Sequence, residues 1–207
     1  AIDDRASGTP STCAYFNGAD NFAVTDVTFR GCSTGVSVNG ATGSLTRTLI
    51  EGATNEAVYF TKSCTSETLT IERSTLVGNG SYAVRMSDGC STGYLYVNLV
   101  ETVSAGHSYT FWNSGSSNTS TWPQVTYTRS VLDEGLSNAY VNINDDSLSV
   151  RSAALFADGA NGDYRPTTRS PIRNRAADGG AVGYVDYDPL TAVPTPGYYG
   201  WYWDDAA

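Results

Sequence analysis

Apolar and polar residues alternate in six short stretches that share one five-residue pattern: Ala14-Tyr-Phe-Asn-Gly18, Val36-Ser-Val-Asn-Gly40, Val58-Tyr-Phe-Thr-Lys62, Val84-Arg-Met-Ser-Asp88, Tyr109-Thr-Phe-Trp-Asn113 and Val141-Asn-Ile-Asn-Asp145. Each reads apolar, variable, apolar, mostly polar, turn-former. Alternation of period two predicts a strand with one buried face. The closing Asn-Gly, Ser-Asp and Asn-Asp pairs tolerate left-handed backbone and predict turns. The starts are separated by 22, 22, 26, 25 and 32 residues.

A second strand family lies between these stretches: Val24–Asp26, Leu45–Arg47, Leu69–Arg73, Leu95–Asn98, Val125–Arg129 and Leu148–Arg151. A further apolar residue follows a few positions later, as at Phe29, Ile50, Leu76, Leu132 and Leu155. Each period of about 25 residues therefore holds two or three short strands. No stretch has a helical period capped at both ends. An antiparallel sandwich also has many short strands, but its alternation does not return with one local motif at this spacing. A coil that climbs and stacks on itself does. The sequence predicts an all-β fold, a parallel β-helix of about six coils, roughly 25–30 Å tall at the spacing of paired strands. Val36, Val58 and Val84 should share one stacked column.

The stretch Leu69-Thr-Ile-Glu-Arg-Ser-Thr-Leu-Val-Gly-Asn-Gly-Ser-Tyr-Ala-Val84 resembles the coils of right-handed parallel β-helix proteins of the pectate-lyase-like superfamily. The segment from Ala160 to Gly180, with Gly162-Asp163-Tyr164-Arg165, Ser170-Pro171 and Asp178-Gly179, looks like the closing segment of its secreted members. Val182–Tyr187 stands where those members have a short final strand. The resemblance covers most of residues 14–188. It implies a right-handed β-helix and says little of function, because the fold hosts lyases, hydrolases, adhesins and structural proteins. The expected organisation is a β-helix domain over residues 1–188, then a Pro-rich arm and aromatic tail over 189–207.

Composition narrows the chemistry. The 207 residues carry 12 basic and 21 acidic side chains, a net charge of −9. That argues against a nucleic-acid partner, which needs a basic face. His107 and Lys62 are the lone histidine and lysine, so chemistry built on several histidines and a Walker lysine are both excluded. No apolar run is long enough to span a membrane as a helix. The four cysteines, with little Lys and much Ser, Thr, Asn and Gly, point to an extracellular or cell-surface setting. The chain starts at Ala1 without Met, which would suit a removed leader.

Cys64 and Cys90 each lie six residues after Val58 and Val84, so stacked coils would bring them within reach of a disulfide. Cys13 and Cys32 sit on the first two coils at non-equivalent positions and form the second expected pair. No Cys-x-x-Cys is present, and no metal site is expected. Calcium is a lesser expectation, through Asp145-Asp146 or Asp158 and Asp163, which are also ordinary turn residues. No other cofactor is expected.

Arg47, Arg73 and Arg129 take matching places in the second strand family, with Leu99 at the coil between. They form either a basic stripe for an acidic sugar or a surface ladder paired with Glu51, Glu72, Asp133 and Glu134; the ladder is the plainer reading. The outward positions of the first family are Tyr15, Ser37, Tyr59, Arg85, Thr110 and Asn142, with Trp112 and Tyr140 beside them. Such rings stack on sugars or on another subunit, although aromatics also favour strands in general. Tyr59, Arg85, Trp112 and Tyr140, with the three arginines, are therefore the candidate contact residues. Glu72 and Glu101 are the nearest approach to a glycosidase pair and need not share a face. Lys62 falls in a turn, and His107 suits a surface hydrogen bond. No constellation reads as a catalytic site. Asn79 and Asn118 begin acceptor sequons.

The ends carry the last signals. No amphipathic segment precedes Ala14, and repeat proteins need caps. After Asp188 comes a Pro-rich extended arm and then Tyr198, Tyr199, Trp201, Tyr202 and Trp203. Rings so dense must dock on their own β-helix or on a neighbour. The expectation is a secreted, non-catalytic structural, filament-forming or adhesive subunit. Its partners would be copies of itself stacked head-to-tail, and polysaccharide is a second candidate. The alternative is a compact polysaccharide lyase or glycoside hydrolase acting on an acidic polysaccharide.

Overall fold

The computed structural model describes residues 2–3, 11–18, 21–87, 91–115, 122–132, 141–145, 150–151, 156–158, 163–166, 176–178 and 183. These residues form strands and turns and no helix, in three parallel sheets that climb together as a β-helix. No helix among them is long and apolar enough to cross a membrane.

The first face stacks Thr12–Asn17, Thr34–Asn39, Glu56–Thr61, Tyr82–Ser87 and Tyr109–Asn113. The second stacks Phe22–Thr25, Gly43–Thr46, Glu67–Glu72, Leu95–Val100, Gln124–Thr128 and Asn142–Asp145. The third stacks Ile2–Asp3, Thr28–Arg30, Leu49–Glu51, Thr75–Val77, Val103–Ala105, Val131–Leu132 and Val150–Arg151. Every pairing between neighbours in these sheets is parallel. Phe156–Asp158 and Asp163–Pro166 pair antiparallel in a separate two-stranded sheet, which takes in Asp163, Tyr164 and Arg165 of the Gly-Asp-Tyr-Arg segment.

Register follows the alternation. Ala14, Val36, Val58, Val84 and Phe111 stack in one inward column, as the repeat predicts for its three valines. Leu45, Ile71, Leu99 and Tyr127 form a second inward column. Phe29, Ile50 and Leu76 form a third. All but the first-coil Ala14 are buried, and together they make one continuous core. Each side chain of this size contributes about 1.5–3 kcal/mol by leaving water.

The coil count differs from expectation. The first face has five strands, hence about four full turns, rather than six. Val141–Asp145 has the alternation of the first family but stacks on Gln124–Thr128 in the second face. Val150–Arg151, read with the second family, belongs to the third. The 32-residue gap therefore joins a first-face strand to a second-face strand, with no first-face strand between Leu132 and Val141 among the described residues.

Each kind of corner has its own rule. On the first five coils the second-to-third corner is two residues long, and its first residue adopts a left-handed backbone at Asp26, Arg47, Arg73, Glu101 and Arg129, with φ between +46° and +58°. Such a conformation costs a non-glycine residue about 1–2 kcal/mol. The return comes partly from the main chain: the amides of Asp26, Arg47, Arg73 and Glu101 donate to Thr46, Glu72, Val100 and Thr128 on the next coil. The third-to-first corner opens on Gly31, Gly52, Gly78 or Gly106, each at positive φ, where glycine carries no such cost. The first-to-second turn absorbs the length variation, growing from 40–42 through 62–66 and 88–94 to 114–123.

Candidate functional site

The outer surface of the first face carries aromatic and charged side chains in register. Tyr15, Ser37, Tyr59, Arg85 and Trp112 occupy one outward column on successive strands. Trp112 lies in the stripe itself. Thr110, which the alternation placed there, is buried, because Phe111 and not Tyr109 stacks on Val84. Asn142 belongs to the second face.

A second outward column runs through Thr34, Glu56, Tyr82 and Tyr109. The two columns meet in an aromatic cluster. The Tyr82 and Trp112 rings are 5.3 Å apart, Tyr109 and Trp112 are 4.9 Å apart, and Tyr82 and Tyr109 are 6.3 Å apart. Tyr109 remains 37 % exposed. On the strand below, Arg85 lies over the Tyr59 ring at 5.1 Å, a cation–π contact. Its Nη1 is 3.8 Å from Oε2 of Glu56, whose side chain is buried. Oε1 of Glu56 accepts the Thr34 hydroxyl at 2.6 Å. Oε2 of Glu56 and Nε of Arg85 are buried without a hydrogen-bond partner. Tyr82 and Glu56 escape a sequence reading that starts their strands at Val84 and Val58, and Tyr109, read there as the inward residue, stacks on Tyr82 instead. Strict alternation would turn Glu56 and Tyr82 inward with Val58 and Val84; the consecutive buried pairs Ala57-Val58 and Ala83-Val84 break it and turn them out.

The arginine stripe is a mixed-charge corner column. Its order is Asp26, Arg47, Arg73, Glu101, Arg129, and the residue between Arg73 and Arg129 is Glu101, whereas Leu99 points into the core. Arg47 donates to both carboxylate oxygens of Asp26 at 2.6 Å, and this contact holds the Asp26 carboxyl below its ordinary range. Nε of Arg73 and of Arg129 donate to Glu101 at 2.8 and 3.0 Å, and the Ala177 amide donates to it at 2.8 Å. Burial pushes the Glu101 carboxyl up, but those three hydrogen bonds outweigh it and hold the group below its ordinary range. Arg73 also reaches Asp178 at 3.2 Å, and the Gly183 amide donates to the Glu101 carbonyl at 2.7 Å. The corner thus latches the closing segment onto the coils. The arginines form a ladder with acids, but the acids are Asp26, Glu101 and Asp178 in place of the expected ones. Of the expected partners, Glu51 pairs with Arg30 at 2.7 Å, and Asp133 and Glu134 lie outside the described residues.

Beneath this column runs a line of buried hydroxyls, at Thr48, Ser74, Thr102 and Ser130. Ser74 and Ser130 accept the amides of Thr48 and Thr102, one coil below each. Ser74, Thr102 and Ser130 donate to the carbonyls of Leu45, Ile71 and Leu99 on that coil. The repeated charged-then-hydroxyl dipeptides, Arg47-Thr48, Arg73-Ser74, Glu101-Thr102 and Arg129-Ser130, are the signal that could have located it.

The remaining candidates resolve singly. Cys13 and Cys32 form a disulfide, with Cα atoms 5.7 Å apart. Cys64 is disulfide-bonded, and its expected partner Cys90 lies outside the described residues. Asn79 is fully buried; its amide nitrogen donates to the Ile50 carbonyl, and its oxygen accepts the Ala53 amide. That corrects the sequon reading, since the folded chain presents no acceptor nitrogen there. His107 is half-buried, with both ring nitrogens 3.0 Å from main-chain carbonyls, of Asn79 and Leu76. Lys62 is buried and donates to the Gly93 carbonyl. Glu72 is half-buried at the end of its strand, one residue before Arg73, while Glu101 is committed to the corner. Tyr140, Asn118, Asp146 and the tail residues Tyr198, Tyr199, Trp201, Tyr202 and Trp203 lie outside the described residues, as do the side chains of Asp145, Asp158 and Asp163. No family model, curated protein or solved structure matches the chain.

Proposed function

We propose that this chain is a secreted, non-catalytic β-helix that serves as an extracellular structural or surface subunit, built like the right-handed coils of the pectate-lyase-like superfamily. The observation that carries the reading is the aromatic ledge on the first face, held on a rigid stack whose corner charges are engaged with one another. A polysaccharide lyase needs a positioned base with freedom to take a proton. Arg73, Arg129 and Glu101 are instead committed to holding the closing segment.

Self-association has its own support. The first coil's inward residues Ala14, Phe16, Phe22 and Val24 are half-exposed, whereas Val36, Val38 and Leu45 above them are fully buried. A copy stacked end to end would cover that cross-section, and unlike ends in contact repeat without closing. The aromatic tail from Tyr198 to Trp203 is the proposed joint.

Sedimentation velocity across a concentration series tests the assembly, with the full chain beside one truncated after Pro196. The expected result is polymerisation of the full chain and its loss on truncation. A full chain that stays monomeric at high concentration removes the filament. Release of unsaturated products from pectate, alginate or chondroitin would replace the whole reading with the lyase.

A further inference from the structure

The first face ends on an open strand. Thr12–Asn17 has Thr34–Asn39 on one side and no described strand on the other. Its inward residues Ala14 and Phe16 are half-exposed, and the Phe16 ring stacks on Phe22 at 4.2 Å. The Gly18 amide donates to the Asn39 carbonyl on the next coil. Successive residues of a strand alternate in direction, so Tyr15 and Asn17 turn their N–H and C=O to the open edge. The last described strand of this face differs, because Phe111 and Asn113 in it are buried. A side-chain ladder stops at the open edge as well. Oγ1 of Thr61 donates to Oδ1 of Asn39 at 2.8 Å, and Nδ2 of Asn39 donates to Oδ1 of Asn17 at 3.0 Å. Nδ2 of Asn17 has no acceptor among the described residues.

The strands of this face share a rule of six places: outward, small, inward apolar, outward, inward apolar, polar. It holds for Thr12-Cys13-Ala14-Tyr15-Phe16-Asn17, Thr34-Gly35-Val36-Ser37-Val38-Asn39, Glu56-Ala57-Val58-Tyr59-Phe60-Thr61 and Tyr82-Ala83-Val84-Arg85-Met86-Ser87. The second place has little room: a Cβ on Gly35 would lie 2.6 Å from the Ala57 carbonyl oxygen. In the tail, outside the described residues, the stretch Tyr199-Gly200-Trp201-Tyr202-Trp203-Asp204 obeys the rule at all six places. Moving the frame by one residue would put Tyr199 or Trp201 in the small place.

We propose that residues 199–204 of one copy add as a further parallel strand to the open edge of Thr12–Asn17 in the next copy. The rule fixes the register. Trp201 and Trp203 lie beneath Ala14 and Phe16, and Gly200 lies beneath Cys13. Tyr202 extends the outward column of Tyr15, and Asp204 accepts from Nδ2 of Asn17. The Tyr15 carbonyl accepts the Trp203 amide. Main-chain pairing supplies affinity and the alternate side chains supply selectivity, as in strand addition generally. Pro189, Pro194 and Pro196 make the preceding arm a semi-rigid spacer, which carries the strand away from the coils it leaves. The proposal rests on the head-to-tail reading and names both halves of its joint.

The test separates donor from acceptor in the full chain. Tyr15→Pro removes an N–H that no described strand uses, so it blocks the edge and leaves the coils their hydrogen bonds. Trp203→Pro blocks the donated strand. In sedimentation velocity each variant alone should stay monomeric where the parent polymerises. Their equimolar mixture should form a one-to-one dimer, because Tyr15→Pro still donates its tail and Trp203→Pro still offers its edge. Asn17→Asp, at an exposed side chain, should weaken association roughly tenfold by facing Asp204, and adding Asp204→Asn should restore it. This pair carries the test if Tyr15→Pro does not fold. Proline variants that polymerise like the parent overturn this joint and leave the filament standing. A mixture of folded variants that stays monomeric, or an Asn17→Asp variant that associates like the parent, also overturns it. A parent that is monomeric at every concentration overturns the joint and the head-to-tail reading together.

Discussion

Replacing Glu101 should loosen the closing segment and remove an acid-sensitive part of the stability. Three hydrogen bonds converge on this buried carboxylate, from Arg73, Arg129 and the Ala177 amide. A hydrogen bond to a charged group contributes about 1.5–3 kcal/mol. The Arg73 and Arg129 side chains are 41 % and 29 % exposed, so water restores part of what they lose. The Ala177 amide is left with no charged acceptor. Allowing about 1 kcal/mol for each arginine and somewhat more for the amide, Glu101→Ala should cost about 3 kcal/mol. Glu101→Gln keeps the shape and one acceptor oxygen, and should cost about 1–2 kcal/mol. The left-handed backbone is unchanged in both, so the difference reports the carboxylate.

The pH dependence supplies the sign. The Glu101 carboxyl sits below its ordinary range in the folded chain. Its contribution is therefore complete above the ordinary carboxylate range and is lost as pH falls through the depressed folded value. Urea unfolding of the parent and of Glu101→Gln, repeated from neutral pH into acid, should show a gap that closes in that window, where the protonated acid resembles the amide. A gap that persists undiminished in strong acid would refute the argument. So would a Glu101→Ala variant within about 0.5 kcal/mol of the parent at neutral pH.

Three further outcomes are expected. Phe60→Ala, at a fully buried ring, should destabilise the chain by about 3–5 kcal/mol in chemical denaturation, and a loss below 1 kcal/mol would deny Phe60 its place in the core. Expression in a glycosylating host should leave the Asn79 peptide unmodified by mass spectrometry, while Asn79→Ala should cost about 2–3 kcal/mol by stranding the Ala53 amide and the Ile50 carbonyl. Replacing Cys13 and Cys32 together with serine should lower stability by about 3 kcal/mol, and a midpoint unmoved by either substitution or reduction would refute a stabilising role.

The stack itself was legible because inward residues repeat with period two inside strands that return at near-constant spacing. Val36, Val58 and Val84 could be placed without coordinates. Register within a strand was harder. Tyr109 and Phe111 fit the inward column in two frames that differ by two residues, and only pairing decides that Phe111, not Tyr109, stacks on Val84. Sheet membership was hidden for the same reason, since Val141–Asp145 alternates like a first-face strand and pairs in the second. The corner column was missed at Glu101 because its strand runs on to Val100, two residues past the Asn98 at which the repeat appeared to end. Nothing in a sequence announces left-handed backbone at an arginine or glutamate. Asn79 shows the opposite failure, since a sequon carries no information on burial.

The order of charges in the corner column also makes the coils non-interchangeable. Removal of the coil that bears Arg73 would bring Arg47 beside Glu101, still a matched pair. Removal of the coil that bears Glu101 would set Arg73 against Arg129 with no acid between them and leave the closing segment without its latch. Every coil has nearly the same inward face, so the core alone would accept either deletion or a slip of one layer. The corner gives each layer an address. A lineage of such chains can therefore lengthen or shorten by whole coils below Arg47 more freely than around Glu101, where the charges must be rewritten together.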